Sequence, residues 1–163
     1  MILRDATEAD LPAILAIHND AILTSLSIWQ NAAVPLSNRE AWFRERRDKG
    51  FAILVAEIDG ALAGYASYGG FRAGAGYDGT VENSVYVRKD LRGRGVARPL
   101  MTALIDHARA NGRHAMVAAV GLPNDASLAL HRRLGFEDAG LLRGIGWKNG
   151  IRLDLALLQL TLA

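Results

Sequence analysis

The chain contains no cysteine. That absence excludes disulfides, a thiolate-ligated metal centre and any covalent acyl-cysteine intermediate. No apolar run approaches the roughly 18 residues of a membrane span, so a membrane is not an expected partner. The first residues, Met1-Ile2-Leu3-Arg4-Asp5, turn charged at once and lack the apolar core of a secretory signal. A cytoplasmic setting is therefore the expectation. Net charge is slight, since 19 Lys and Arg against 17 Asp and Glu give +2. Nucleic acid is not an expected partner: the basic excess sits in one short stretch, without interleaved aromatics. There is no Gly-Lys-Ser/Thr triplet, which excludes a Walker-type phosphate loop. No His/Asp/Glu spacing suits a metal.

What is present fits one globular domain, residues 1–163, with half its residues apolar. Ile2 to Arg4 reads as a strand. Thr7 then precedes the helical spacing of Leu11, Ile14, Leu15, Ile17 and Ile22. Ser37 with Glu40 forms a capping-box pattern that opens a helix carrying Trp42 and Phe43 and ending at Gly50. Phe51 to Ile58 and Leu62 to Tyr68 read as strands about a tight Asp59-Gly60 turn. Thr80 to Val87 is the next strand. Val96, Leu100, Leu104 and Ala108 recur every fourth residue, one buried helix face that Asn111-Gly112 stops. Ala115 to Val120 is apolar on both faces, as an interior strand is. Asn124 to Leu134 is a short helix, and residues 137–146 and 151–160 are two closing strands. The pattern predicts an α/β (α+β) fold: a mixed, mostly antiparallel sheet of about seven strands with helices on both faces.

The basic stretch holds Arg88, Lys89, Arg92, Arg94 and Arg98, and it falls between a strand and a helix. A helix's first turn has N–H groups without internal partners and carries the positive end of the macrodipole. Gly93 and Gly95 let the backbone approach an anion closely, because no Cβ intervenes. The combination reads as a phosphate cradle. A dinucleotide fingerprint would follow the first strand and end in a small residue, whereas here the loop is mid-chain and Arg98 takes that place. An ordinary solvated turn would also use glycines and arginines.

Arg92-x-x-Gly95-x-Ala97 resembles the (Gln/Arg)-x-x-Gly-x-(Gly/Ala) motif of the GNAT acetyltransferase superfamily. Asn124-x-Ala126-Ser127-x-x-Leu130-His131-x-x-Leu134-Gly135-Phe136 is similar to that superfamily's later helix with its closing Gly-Phe. Thr80-Val81-Glu82-Asn83-Ser84-Val85-Tyr86-Val87, with Ile2-Leu3-Arg4-Asp5-Ala6 and Gly64-Tyr65-Ala66-Ser67-Tyr68, resembles the phosphinothricin/methionine sulfoximine N-acetyltransferase branch. The resemblance implies the GNAT fold, acetyl-CoA as cosubstrate without a metal, and acetylation of small amino-acid analogues at the α-amino group. It also implies a homodimer.

By that resemblance, backbone groups of Val85, Tyr86 and Val87 hold the pantetheine arm and the acetyl carbonyl. Gly93, Arg94, Gly95, Val96, Ala97 and Arg98, with Arg92, hold the pyrophosphate, and Asn124 holds the pantetheine or thiol end. The chemistry needs a base, because an α-ammonium group is largely protonated at neutral pH. Glu82 is the candidate, sharing one strand face with Ser84 and Tyr86; a solvent-facing glutamate is the plain alternative. His131 occupies the place where many superfamily members carry a tyrosine general acid. A histidine simply packed on its helix is the usual case. His18, His107 and His114 read as structural. Phe71, Arg72, Ala73, Gly74 and Ala75 form the expected acceptor loop, with Arg72 suited to a carboxylate, and Trp29 is a candidate apolar wall. Two other functions fit the same residues: acetylation of a protein N-terminus, polyamine or aminoglycoside, or acyl-CoA binding without turnover.

Overall fold

The computed structural model describes residues 1–163. One seven-stranded sheet runs through it in the order β1-β2-β3-β4-β5-β7-β6. Its strands are β1 (Ile2–Asp5), β2 (Ile53–Ile58), β3 (Ala61–Gly70), β4 (Thr80–Val87), β5 (Ala115–Gly121), β6 (Glu137–Lys148) and β7 (Ile151–Thr161). All neighbours pair antiparallel except β4 and β5, which run parallel. The helices are α1 (Leu11–Thr24), α2 (Leu36–Asp48), α3 (Ala97–Ala110) and α4 (Asp125–Arg133). None is long and apolar enough to cross a membrane.

Each sheet face has its own apolar core. On one side Leu11, Ile14 and Ile17 of α1 and Phe43 of α2 pack on Ile53, Val55 and Tyr65. On the other, Leu100, Met101, Leu104, Ile105 and Ala108 of α3 cover the sheet centre, and Phe136 joins them. The four-residue repeat read in α3 is the buried stripe that puts this helix there. The strict alternation of β4 follows: Val81, Val85 and Val87 face the α3 core, while Tyr86 packs with the α1–α2 core.

Local chemistry explains most boundaries. Asp59-Gly60 and Asn149-Gly150 both adopt positive φ, at 51° and 77° and at 50° and 76°. Two consecutive left-handed residues make the tight turns that match strand twist. Two helix starts differ from the sequence reading. Thr7 opens a short 3-10 turn, with its N–H donating to Asp10 Oδ2 at 2.7 Å, and α1 begins after it. Arg4 holds the same carboxylate at 2.8 Å, which pulls the Asp10 pKa down to about 2. The Ser37–Glu40 capping box does not form: α2 already begins at Leu36 behind Pro35, and no side chain caps it. Proline's fixed φ places the turn there instead.

Candidate active site

β4 and β5 pair only from Thr80–Ala115 to Glu82–Val117. Beyond that point β4 stays with β3 as far as Val87, and β5 stays with β7 as far as Gly121. The parallel strands therefore part, and a wedge opens with its apex at Glu82 and Val117. Asn83 sits just past the apex and donates from Nδ2 to Val117 O at 3.2 Å. With that group committed, Asn83 turns Oδ1 to His131, whose Nε2 lies 3.0 Å away. His131 Nδ1 donates to the Ser127 carbonyl oxygen at 2.8 Å, with the Ser127 hydroxyl 3.3 Å away. The ring is 2% exposed, and burial pulls its pKa below the ordinary imidazole value. His131 thus reaches the wedge through Asn83.

The hydrogen-bond phase of β4 decides which backbone groups enter the wedge. Bonded pairs alternate along an antiparallel ladder. Phe71 N–H donates to Thr80 O, and Arg88 N–H donates to Ala63 O. Even-numbered residues of β4 therefore bond back to β3. The N–H groups of Val85 and Val87 point into the wedge, whereas those of Tyr86 point to β3. Val87 O is already engaged by Arg92 Nε at 3.2 Å.

Glu82 faces the other way from Asn83, toward α1 and α2. It is partly buried, and burial raises its pKa while the nearby Arg46 of α2 holds it back. Glu82 and His131 consequently lie on opposite faces of β4, with the strand and the wedge between them. His18, by contrast, packs against Tyr65 with Nδ1 3.1 Å from its hydroxyl, and burial beside Arg39 pushes its pKa down to about 4. It is a neutral core residue.

At the open end of the wedge stands the arginine-glycine loop. Gly93 and Gly95 hold φ of 75° and 79°, and open space surrounds both. That conformation favours glycine. No backbone acceptor takes the N–H groups of Gly93, Gly95, Val96, Ala97 or Arg98. Arg94 and Arg98 are exposed, while Arg92 reaches Asp20 at 3.5 Å and so braces the loop on α1. These free donors at the start of α3 fit a pyrophosphate. Asn124 caps α4 by accepting from Ser127 N–H at 3.2 Å through Oδ1.

The Phe71–Ala75 loop joins β3 to β4 at the Glu82 end. Arg72 is exposed and lies over the Phe71 ring at 5.2 Å, and Phe71 meets Tyr77 edge-on at 5.9 Å. Ala73, Gly74 and Ala75 are exposed beside it. Trp29 wedges against Gly121 and Gly146 at the far end of β5, where any Cβ would collide with its ring.

Two site residues carry no signal in the sequence. Asn83 looks like any polar strand residue until β5 and α4 close on it. Lys148 is 2% exposed, yet its ammonium donates to the carbonyls of Ile22, Ser25 at 2.7 Å and Ile28 at 2.6 Å. It clamps the end of α1 and the turn carrying Trp29 onto β6.

A wedge that exposes one strand's N–H groups, a carboxylate at its apex and an anion cradle at its mouth serve group transfer from a phosphorylated carrier to a nucleophile needing a base. Residues 14–136 match the acetyltransferase (GNAT) family, and the chain belongs to that family; it is an N-acetyltransferase. It is 53% identical over 161 residues to a methionine sulfoximine/methionine sulfone acetyltransferase of Pseudomonas aeruginosa, covering 98% of this chain and 94% of that one. It is 44% identical to an L-amino acid N-acyltransferase of Escherichia coli, covering 99% and 94%. A solved phosphinothricin acetyltransferase from Sinorhizobium meliloti in complex with acetyl-CoA superposes with a TM-score of 0.95 at 34% identity, covering 98% of this chain and 87% of that one.

Proposed function

We propose that this enzyme transfers the acetyl group of acetyl-CoA to the α-amino group of small amino-acid analogues such as methionine sulfoximine, methionine sulfone and phosphinothricin. The observation that carries the reading is Glu82, a carboxylate with a raised pKa at the apex of the wedge. Its acetyltransferase relatives act on these compounds by name.

Acetyl-CoA supplies an activated thioester. Gly93, Gly95 and the first residues of α3, with Arg94 and Arg98, bind its pyrophosphate, and the N–H groups of Val85 and Val87 lie along its arm. One of these two N–H groups is the oxyanion donor. Glu82 takes a proton from the acceptor ammonium, directly or through water, so that the neutral amine adds to the thioester carbonyl; the oxyanion then collapses, the C–S bond breaks, and the departing coenzyme A thiolate takes the remaining surplus proton of the amine nitrogen. His131 is a positioning residue: it holds Asn83, and Asn83 holds the apex. The Phe71–Ala75 loop closes over the acceptor. Half-buried Arg46 beside Glu82 counts against cationic acceptors such as polyamines and aminoglycosides.

The terminal hairpin exposes Leu141, Leu142, Ile145, Trp147 and Ile151. We read this exposed apolar hairpin as the homodimer contact. Thiol release from acetyl-CoA, measured with a panel of amino-acid analogues, tests the substrate assignment; release with none of them overturns it.

A further inference from the structure

α2 presents two arginines to the sheet, and the one acid near them there is Glu82, beside Arg46. Arg39 is otherwise occupied: its guanidinium lies 4.7 Å from the Trp42 ring centre, and its Nε donates to Asn38 Oδ1 at 3.0 Å. Arg46 is not. Its Nε is buried without a hydrogen-bond partner. Its one ion-pair neighbour is Glu45 on the same helix, at 3.6 Å, with a half-exposed side chain. Burial disfavours its charge, which Glu45 and Glu82 offset only in part, and no hydrogen-bond acceptor of the protein meets its buried Nε.

The location of the guanidinium is specific. A Cβ on Gly69 would stand 2.6 Å from Arg46 Cζ and Nη2 and 2.8 Å from Nη1. The nearly equal distances mean that the guanidinium lies flat on Gly69, in the space a side chain would take. Gly69 is the direct cross-strand partner of Glu82. Side chains of paired residues start only about 5 Å apart. Arg46 therefore stands next to the proposed base, with unused N–H donors.

We propose that Arg46 binds the α-carboxylate of the acceptor and so selects α-amino acids over simple amines. The proposal rests on the reading of Glu82 as the base. In an α-amino acid the carboxylate and the amine share one carbon. An amine presented to Glu82 brings its carboxylate to the adjoining position, which is Arg46. A carboxylate entering beside an anionic Glu82 would be repelled; the guanidinium between them removes that penalty. Arg72, exposed and lying on Phe71, is left to the outer, side-chain end of the acceptor. Gly69 gains a role as well, because any side chain there evicts the guanidinium.

The test compares kcat/KM for L-methionine sulfone with that for its decarboxylated analogue, 3-(methylsulfonyl)propan-1-amine. Wild type, Arg46→Gln, Arg46→Lys, Gly69→Ala, Arg72→Gln and Glu82→Gln are measured, each checked for folding by thermal melting. Arg46→Gln is expected to lose about 10- to 100-fold on the amino acid and little on the amine, the size of a lost charge-assisted fork. Gly69→Ala follows it, Arg46→Lys falls between, and Arg72→Gln changes both compounds alike. Equal losses on the two compounds in Arg46→Gln overturn the proposal, as does loss of the preference in Arg72→Gln instead. A Glu82→Gln enzyme with undiminished turnover and intact preference removes Glu82 as the base, while Arg46 stands on its own comparison.

Discussion

His131 Nε2 lies 3.0 Å from Asn83 Oδ1, and Asn83 in turn donates from Nδ2 to Val117 O at 3.2 Å. This relay sits where β4 and β5 part, so a helix residue fixes the width of the wedge apex. If the two side chains act as one unit, their removal is not additive. His131→Ala and Asn83→Ala should each lower kcat, and the double variant should cost clearly less than the product of the two effects. A double-mutant cycle on kcat measures this. Independent, multiplying losses contradict the relay.

Gly95 adopts φ of 79° with open space around it. Replacement by valine forces a β-branched residue into the left-handed region and moves the free N–H groups of the cradle. The Kd for coenzyme A, followed by calorimetry, should rise about 10-fold or more, since strain of this kind costs about 1–3 kcal/mol. The fold should persist, because Gly95 is exposed. Unchanged affinity contradicts the cradle.

Lys148 satisfies carbonyls of Ile22, Ser25 and Ile28 from a fully buried position. Lys148→Met keeps the volume and strips the donors. A loss of about 2–4 kcal/mol is expected, from leaving buried acceptors unmade. For a domain of this size that is a Tm drop of roughly 5–15 °C. Thermal unfolding checks it, and an unchanged Tm contradicts the clamp.

The exposed Leu141, Leu142, Ile145, Trp147 and Ile151 form the contact of the proposed homodimer. Ile145→Asp should shift the protein to monomer in sedimentation velocity, since a charge in a dry contact is costly. A wild-type protein that already sediments as a monomer contradicts the contact.

Much of the fold was legible because its signals are local. The glycine turns, the four-residue stripe of α3 and the apolar run of β5 depend on neighbours in sequence. The anion loop was legible for the same reason: glycine torsions and a helix start lie within a few residues. The relay and the clamp were not. Lys148 lies 120 residues or more from every carbonyl it meets, and carbonyls have no residue identity to read. Arg46 matters through the absence of a side chain on Gly69, which no periodicity reports. The Ser37–Glu40 pattern failed because Pro35 started the helix first. Trp29 packs where Gly121 and Gly146 make room for it, a match visible only in three dimensions.

Glu82 as the base is the central claim, and its pH dependence tests it most directly. Burial raises its pKa in the free enzyme, and the base works only when ionised. The kcat/KM for methionine sulfone should therefore fall on the acid side with an apparent pKa above the ordinary glutamate value of about 4.3. Arg46→Gln, which removes the charge holding that pKa down, should move this limb to higher pH. Glu82→Gln should lower kcat by about 100-fold or more and abolish the limb, with affinity for acetyl-CoA retained. A Glu82→Gln enzyme with wild-type kcat and an unshifted acid limb would contradict the account.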